Sequence, residues 1–297
     1  MRIGFVGCVQ SSEMALTTLL EMKVRNVDLV AVITKEVSTF NADFVDLAPL
    51  CKEYDIPVHF ENTHNKAESL QFMKEHAPDV IFCFGWSYLL NDDFLTLPKL
   101  GVIGFHPAKL PKNRGRHPII WALALGLKKT ASTFFKMEQG ADTGPILSQV
   151  DIDIDLNDDA NSLYKKITAT AQQQIIEFTE QLLKGTAEFK EQDDAQASNW
   201  RKRSRKDGLI DWRMSANDIH NLIRALTKPY PGAELAFKES ILQIWKSKIS
   251  IDKFPNNIEP GYILAVESSN ILVKCANDSA IWILDIELEQ IKVGDYL

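Results

Sequence analysis

The amino-acid sequence predicts an α/β protein: a doubly wound, mainly parallel sheet followed by a smaller domain of short strands. Three observations carry this. Apolar runs alternate with amphipathic stretches through the first part of the chain. Two of those runs, DVIFCFG (79–85) and LGVIGFH (100–106), are apolar without interruption. Beyond Leu209 the pattern changes to short strands between turn residues. Uninterrupted apolar strands belong to sheets covered on both faces, and strand–helix alternation gives parallel pairing.

Taken in order, IGFVG (3–7) reads as a buried strand and SSEMALTTLLEM (11–22) as an amphipathic helix opened by serine caps. VDLVAVIT (27–34) is a second strand, DFVDLAPLCKEY (43–54) a helix despite Pro49, IPVHF (56–60) a third strand and NKAESLQFMKEHA (65–77) a helix. After the two apolar strands come a helix over PIIWALALG (118–126), an extended pair around 131–153, and a long helix from about Asp159 to Lys184. EQDDAQASNWRKRSRKDG (191–208) has few apolar residues and strong charge, so it reads as a linker between a domain over 1–190 and another over 209–297. The second domain opens with a helix, SANDIHNLIRALT. The strands ILQIWKSKI, GYILAVE, NILVKCA and AIWILDIEL follow, at the spacing of a small β-barrel or sandwich.

Composition narrows the function. Of 297 residues 45% are hydrophobic and 25% charged, ordinary for a globular protein. The opening MRIGFVGCVQ is too short for a membrane span and lacks a signal-peptide cleavage pattern, so no membrane partner is expected. Cys8, Cys51, Cys83 and Cys275 are scattered without a C-x-x-C pair, which argues against a disulfide framework or a zinc site and fits the cytoplasm. A formal net charge of −7 argues against nucleic acid as partner. The basic run RKRSRK (201–206) is either a solvated linker or a phosphate contact.

Ligands of doubly wound sheets bind beyond the carboxyl ends of the strands, so the segments after Gly7, Phe84 and Phe105 lie on the functional rim. The first turn has only Gly4 and Gly7 and misses the G-x-G-x-x-G dinucleotide fingerprint. Ser11 and Ser12 there either cap the helix or hold a phosphate. His106 ends an apolar strand and enters a loop stiffened by Pro107 and Pro111, which makes it a candidate base. QGADTGPI (139–146) sets Asp142 between Gly140 and Gly144, whose backbone freedom lets a turn close around a ligand. A carboxylate beside an imidazole orients the ring and favours its charged form.

Together the stretches HPAKLPKNRGRHPIIWAL, GADTGPIL, DVIFCFGWSYLL, RKRSRKDGLIDW and KPYPGAEL resemble the folate-dependent formyltransferase family, over essentially the whole chain. The resemblance implies a Rossmann-like catalytic domain, an OB-like C-terminal barrel and 10-formyltetrahydrofolate as formyl donor. It implies catalytic roles for His106 and Asp142. It also implies a pterin contact along Phe84, Gly85, Trp86, Ser87, Tyr88, Leu89 and Leu90, with Gly140 and Asp142 completing the donor site. Trp86 and Tyr88 either wall that pocket or pack the core, Arg114 either binds acceptor or braces its loop, and Trp121 reads as core.

The chain departs from the family at one position. The family carries an asparagine two residues before the histidine, where its amide helps hold the reacting oxygen; here that position is Gly104. Losing one such donor typically costs about 2–4 kcal/mol of transition-state stabilisation. Three explanations stay open: a substitute donor such as Asn113 or a backbone amide, His106 acting alone, or a relative that binds without catalysis. Methionyl-tRNA formyltransferases carry a basic insertion after the second strand, whereas TKEVSTFNADFVDLAP (34–49) is short and net acidic. RKRSRKDGLIDW instead resembles the corresponding region of nucleotide-sugar formyltransferases. That implies a diphosphate contact from Arg201, Arg203 or Arg205. The expected acceptor is an amino-dideoxy sugar on UDP, dTDP or GDP, of the kind used for surface polysaccharides or pseudaminic-type acids. Methionyl-tRNA is the alternative acceptor, a folate-binding protein without catalysis the second alternative, and a homodimer stays open.

Overall fold

A computed structural model describes residues 1–22, 26–39, 41–62, 64–238, 240–286 and 291–297. In chain order the elements are β1 (Arg2–Val6), α1 (Gln10–Glu21), β2 (Asp28–Thr34), α2 (Ala48–Glu53), β3 (Val58–Phe60), α3 (Lys66–His76), β4 (Val80–Cys83), α4 (Asp92–Leu95), β5 (Val102–His106), β6 (Arg114–Gly115), α5 (Pro118–Ala124), β7 (Lys129–Lys136), β8 (Ile146–Asp153), α6 (Ala160–Lys184) and β9 (Asn199–Trp200). There follow α7 (Ala216–Leu226), β10 (Ala233–Phe237), β11 (Ser240–Ile244), β12 (Lys246–Ile249), β13 (Ile263–Glu267), β14 (Asn270–Lys274) and β15 (Ala280–Leu284). The chain divides into two compact units. One holds Met1–Pro118, Thr130–Ile152 and Lys165–Trp200; the other holds Ile119–Lys129, Asp153–Tyr164 and Arg201–Leu297.

In the first unit seven strands pair in the order β3-β2-β1-β4-β5-β7-β8. The first five pair in parallel and β7 runs antiparallel to β5. Strand order reverses between β1 and β4, the switch point where such sheets open a crevice. Both faces are covered, which is why β4 and β5 are continuously apolar. Phe5, Phe82, Phe84, Phe134 and Phe178 fill one face, with Phe84 and Phe134 edge-on at 5.1 Å between centroids. Val6, Ile33, Met73, Ile81 and Val102 fill the other, and Trp86, Leu90 and Met137 pack against them.

In the first unit two elements differ from the expectation. The helix predicted over 43–54 is only α2, because Pro49 lacks an N–H and fits only a first turn. The chain before it is not helical: it turns at 42–43 and bridges Val9 through Phe44. Ser12 helps cap α1, but from inside the first turn rather than from the N-cap position. Val9 holds the N-cap position, and Ser12, inside the first turn, accepts from the Val9 N–H at 3.1 Å.

In the second unit β10 and β11 form an antiparallel pair, and β12-β15-β14-β13 form a four-stranded antiparallel sheet. The run ILQIWKSKI is therefore two strands in different sheets, broken at Trp245. Glu287 and Leu288 of AIWILDIEL lie outside the described residues, as does Phe40 of the 34–49 segment. Helix α7 buries Ile219, Leu222, Ile223 and Leu226 along one stripe.

Candidate active site

His106 closes β5 at its carboxyl end and is 4% exposed. Its Nε2 lies 2.7 Å from the Asn113 carbonyl oxygen. A carbonyl only accepts, so Nε2 carries the proton and the ring orientation is set by the loop that His106 itself begins. The other nitrogen, Nδ1, stands 3.5 Å from Asp142 Oδ2. The imidazole and the carboxylate therefore meet, although β6, α5 and β7 separate them along the chain. Asp142 has a left-handed backbone, φ +58°, and its Oδ2 accepts the Gly115 N–H at 2.8 Å. Gly115 has φ +103°, and a Cβ there would lie 2.3 Å from the Trp200 carbonyl oxygen. Only glycine lets β6 approach β9 this closely and still aim its amide at Asp142.

The segment after β4 leaves the strand that pairs with β5. Phe84 is buried and its ring belongs to the core, so it offers only backbone to the crevice. Its carbonyl accepts from Ser12 Oγ at 2.6 Å, which commits that hydroxyl to the fold. Ser11 precedes Ser12 in the same turn. Gly85 turns the chain at φ +69°. Trp86 is half-buried, and its Nε1 is buried without a hydrogen-bond partner. Ser87 accepts from Asn41 Nδ2 at 3.3 Å, and its carbonyl accepts from Arg116 at 2.9 Å. The exposed Tyr88 ring stands edge-on to Trp86. Lys35 Nζ lies 5.1 Å and 4.4 Å from the two ring centroids, and Lys66 Nζ lies 5.8 Å from that of Tyr88. Leu89 is exposed, Leu90 packs on the core, and Gly140 enters the β7–β8 turn ahead of Asp142.

Several sequence candidates are occupied elsewhere. Arg114 is buried and donates to Gln192 Oε1 at 2.8 Å and Asp194 Oδ1 at 2.8 Å, so it braces the loop. Asn113 is held through its N–H, which donates to Ser198 Oγ at 2.9 Å, and its side-chain oxygen, 3.5 Å from the same hydroxyl; these contacts do not engage the side-chain amide nitrogen, the group that would donate to a reacting oxygen. In the second unit Arg201 donates to both oxygens of Asp207, Arg203 donates to the Asp207 carbonyl, and Arg205 donates to both oxygens of Glu234. Trp121 stacks with Arg201 and Arg203, at 5.3 Å and 4.6 Å. A diphosphate at this turn would have to displace those partners. Among the described residues no cluster suited to a metal ion occurs.

Position 104 is closed to a side chain. A Cβ on Gly104 would lie 2.7 Å from Met137 Cγ and 3.0 Å from Phe135 Cζ. The volume of the family's asparagine is thus taken by Met137, a residue that nothing in its sequence surroundings marks. Gln192 and Ser198 were likewise hidden, inside a stretch that composition reads as linker. Residues 191–200 instead belong to the first unit, held by these polar contacts and by β6–β9 pairing.

A family model described as "Formyl transferase" matches residues 1–179, and one described as "Formyl transferase, C-terminal domain" matches residues 202–295. The chain belongs to the formyl transferase family, as the sequence resemblance implied. The bifunctional polymyxin resistance protein ArnA of Wigglesworthia glossinidia brevipalpis is 38% identical over 227 residues, 76% of this chain. The aligned part is 34% of that relative's length. A methionyl-tRNA formyltransferase of Caldanaerobacter subterraneus subsp. tengcongensis is 33% identical over 294 residues, 97% of this chain and 93% of the relative. The crystal structure of WlaRD, a sugar 3N-formyl transferase in the presence of dTDP and 5-N-formyl-THF, aligns with a TM-score of 0.70 at 16% identity, covering 95% of this chain and 97% of that one. That likeness confirms the fold. The family's formyl donor is 10-formyltetrahydrofolate. The mouth of the sheet fits such a group: a buried Trp86 N–H without a partner, an exposed aromatic face at Tyr88, and two lysine ammonium groups beside them.

Proposed function

We propose that the protein transfers the formyl group of 10-formyltetrahydrofolate to the amine of a nucleotide-linked amino sugar. The observation that carries the reading is the His106–Asp142 pair at the carboxyl end of β5, the strand paired with β4, from which the Trp86–Leu90 segment follows. Phe84 to Leu90 would hold the folate, which supplies the formyl carbon when bound. The Asn113 carbonyl fixes the proton of His106 on Nε2, so Nδ1 is the ring atom that faces Asp142. A proton held at Nδ1 makes that atom a donor to the developing oxygen charge, in place of the family's asparagine amide. Asp142 balances the charged ring, takes up the amine proton as the new C–N bond forms and returns it to the donor nitrogen as the old C–N bond breaks, while the Gly115 N–H steadies the carboxylate.

The acceptor follows from charge. The 34–49 segment is short and net acidic, and the chain carries a formal charge of −7, which opposes an RNA ligand whose binding is dominated by phosphate neutralisation. A second reading, methionyl-tRNA, is favoured by the relative that aligns along nearly the whole chain. One assay separates them. Purified protein with 10-formyltetrahydrofolate is offered a panel of UDP-, dTDP- and GDP-linked amino sugars and, separately, charged initiator tRNA. Release of tetrahydrofolate with a sugar alone supports the proposal; formylation of tRNA alone replaces it. His106→Ala and Asp142→Ala each lower turnover about a hundredfold or more, in line with removal of a positioned acid–base group. Full rate in both variants would show that the chemistry lies elsewhere.

A further inference from the structure

We propose that Gln192 is a positioning residue for the reaction, the clamp that keeps the Asp142 turn in register with His106; this rests on the functional reading above. The carboxamide of Gln192 donates through Nε2 to the Asp142 carbonyl at 2.9 Å and to the Gly144 carbonyl at 2.7 Å. Its Oε1 accepts from Arg114 Nε at 3.2 Å and from the Arg114 terminal nitrogen at 2.8 Å. All four contacts are chemically one-way. Carbonyls only accept and a guanidinium only donates, so the two ends of the carboxamide cannot be exchanged. A single side chain therefore ties the turn bearing Asp142 to Arg114, which lies next to the Asn113 carbonyl that orients His106.

The clamp answers a local conformational need. A left-handed φ at a non-glycine residue such as Asp142 persists only where the surroundings over-determine it. Gln192 fixes the peptide carbonyls on both sides of the Thr143 bend, while the Gly115 N–H fixes the carboxylate. A second link runs in parallel, since Ser198 of the same stretch receives the Asn113 N–H. Residues 191–200 carry few apolar side chains, so polar contacts of this kind set their position. Glutamate at 192 would keep the acceptor for Arg114 but present an oxygen to two carbonyl oxygens. Glutamine alone offers both functions with this reach.

The test compares Gln192→Glu with the parent enzyme. The expected outcome is a protein that still folds cooperatively with a melting temperature only modestly lowered, because Arg114 keeps its partner, and with kcat lowered about ten- to a hundredfold, the scale of a misplacement near 1 Å. KM for 10-formyltetrahydrofolate stays within about twofold, since the Phe84–Leu90 segment is untouched. Independently of activity, hydrogen exchange at the Gly115 amide speeds up as Asp142 drifts. Should Gln192→Glu fail to fold, Gln192→Met, of similar shape but without donors, must show the same loss of kcat and of Gly115 protection. Parental kcat with Gly115 still protected in whichever variant folds overturns the proposal. If His106→Ala and Asp142→Ala are inactive while the Gln192 variant is fully active, only the clamp is wrong. If all are fully active, the functional reading falls first.

Discussion

Gly104 shows how one missing side chain reshapes a site. The strand register places it opposite Phe135 and two residues ahead of His106, so a side chain there would share the imidazole's face of the sheet. Met137 occupies that space, with Trp86 and Leu90 packed against the same core cluster. Replacing glycine by asparagine would therefore overpack a closed position. Gly104→Asn is expected to destabilise the protein by about 1–3 kcal/mol, read as a lowered urea midpoint. Combining it with Met137→Ala removes the atoms nearest the new Cβ and recovers much of that loss. Equal stability of Gly104→Asn and the parent would mean that Met137 is not the obstacle. The departure at 104 was legible in the sequence because the loop chemistry around it matched so closely. The identity of the residue filling the gap was not, because it depends on which strand returns antiparallel beside β5.

At the scale of the element, two adjacent stretches that composition groups as one linker behave differently. Residues 191–200 join the first unit through hydrogen bonds to residues about 50 to 85 positions earlier. Those partners cannot be read from hydrophobic periodicity, which reports apolar faces and is blind to carboxamide and hydroxyl geometry. Residues 201–208 form a turn of the second unit around Asp207, which accepts from Arg201 and from the Ser204 N–H at 2.6 Å. The Arg201 guanidinium, followed by the Ser204 amide, holds the Asp207 carboxyl well below the usual carboxylate range. A carboxyl depressed in the folded state contributes stability above its unfolded value, near pH 4, and that contribution fades as the pH falls toward the folded value. Asp207→Asn should thus melt below the parent at pH 7, with the gap closing as the pH drops from about 5 to about 2. A gap that stays constant over that range would assign the turn's stability to something other than this charge.

The whole molecule was legible where burial imposes a period. The continuous apolar runs became central parallel strands and the long amphipathic run became α6, because both report faces covered by the rest of the fold. The same burial governs the cysteines, whose scatter spoke against pairing. All four thiols are buried. Burial pushes Cys8 up to about 11 and Cys51 and Cys275 up to about 12, and it raises Cys83 further in its fully enclosed place beside the switch point. Near pH 8 an ordinary exposed thiol, with a value near 8.5, is already substantially ionised, whereas these hold almost no thiolate, the species that reacts. Titration with a disulfide reagent at pH 8 is therefore expected to be slow in the native protein and complete, at four thiols per chain, once guanidinium unfolds it. Because the raised values come from burial, protection follows the fold: conditions that open one unit release its cysteines alone, three from the first unit and Cys275 from the second. Rapid labelling of any cysteine in the native state would show that its part of the core is open to solvent.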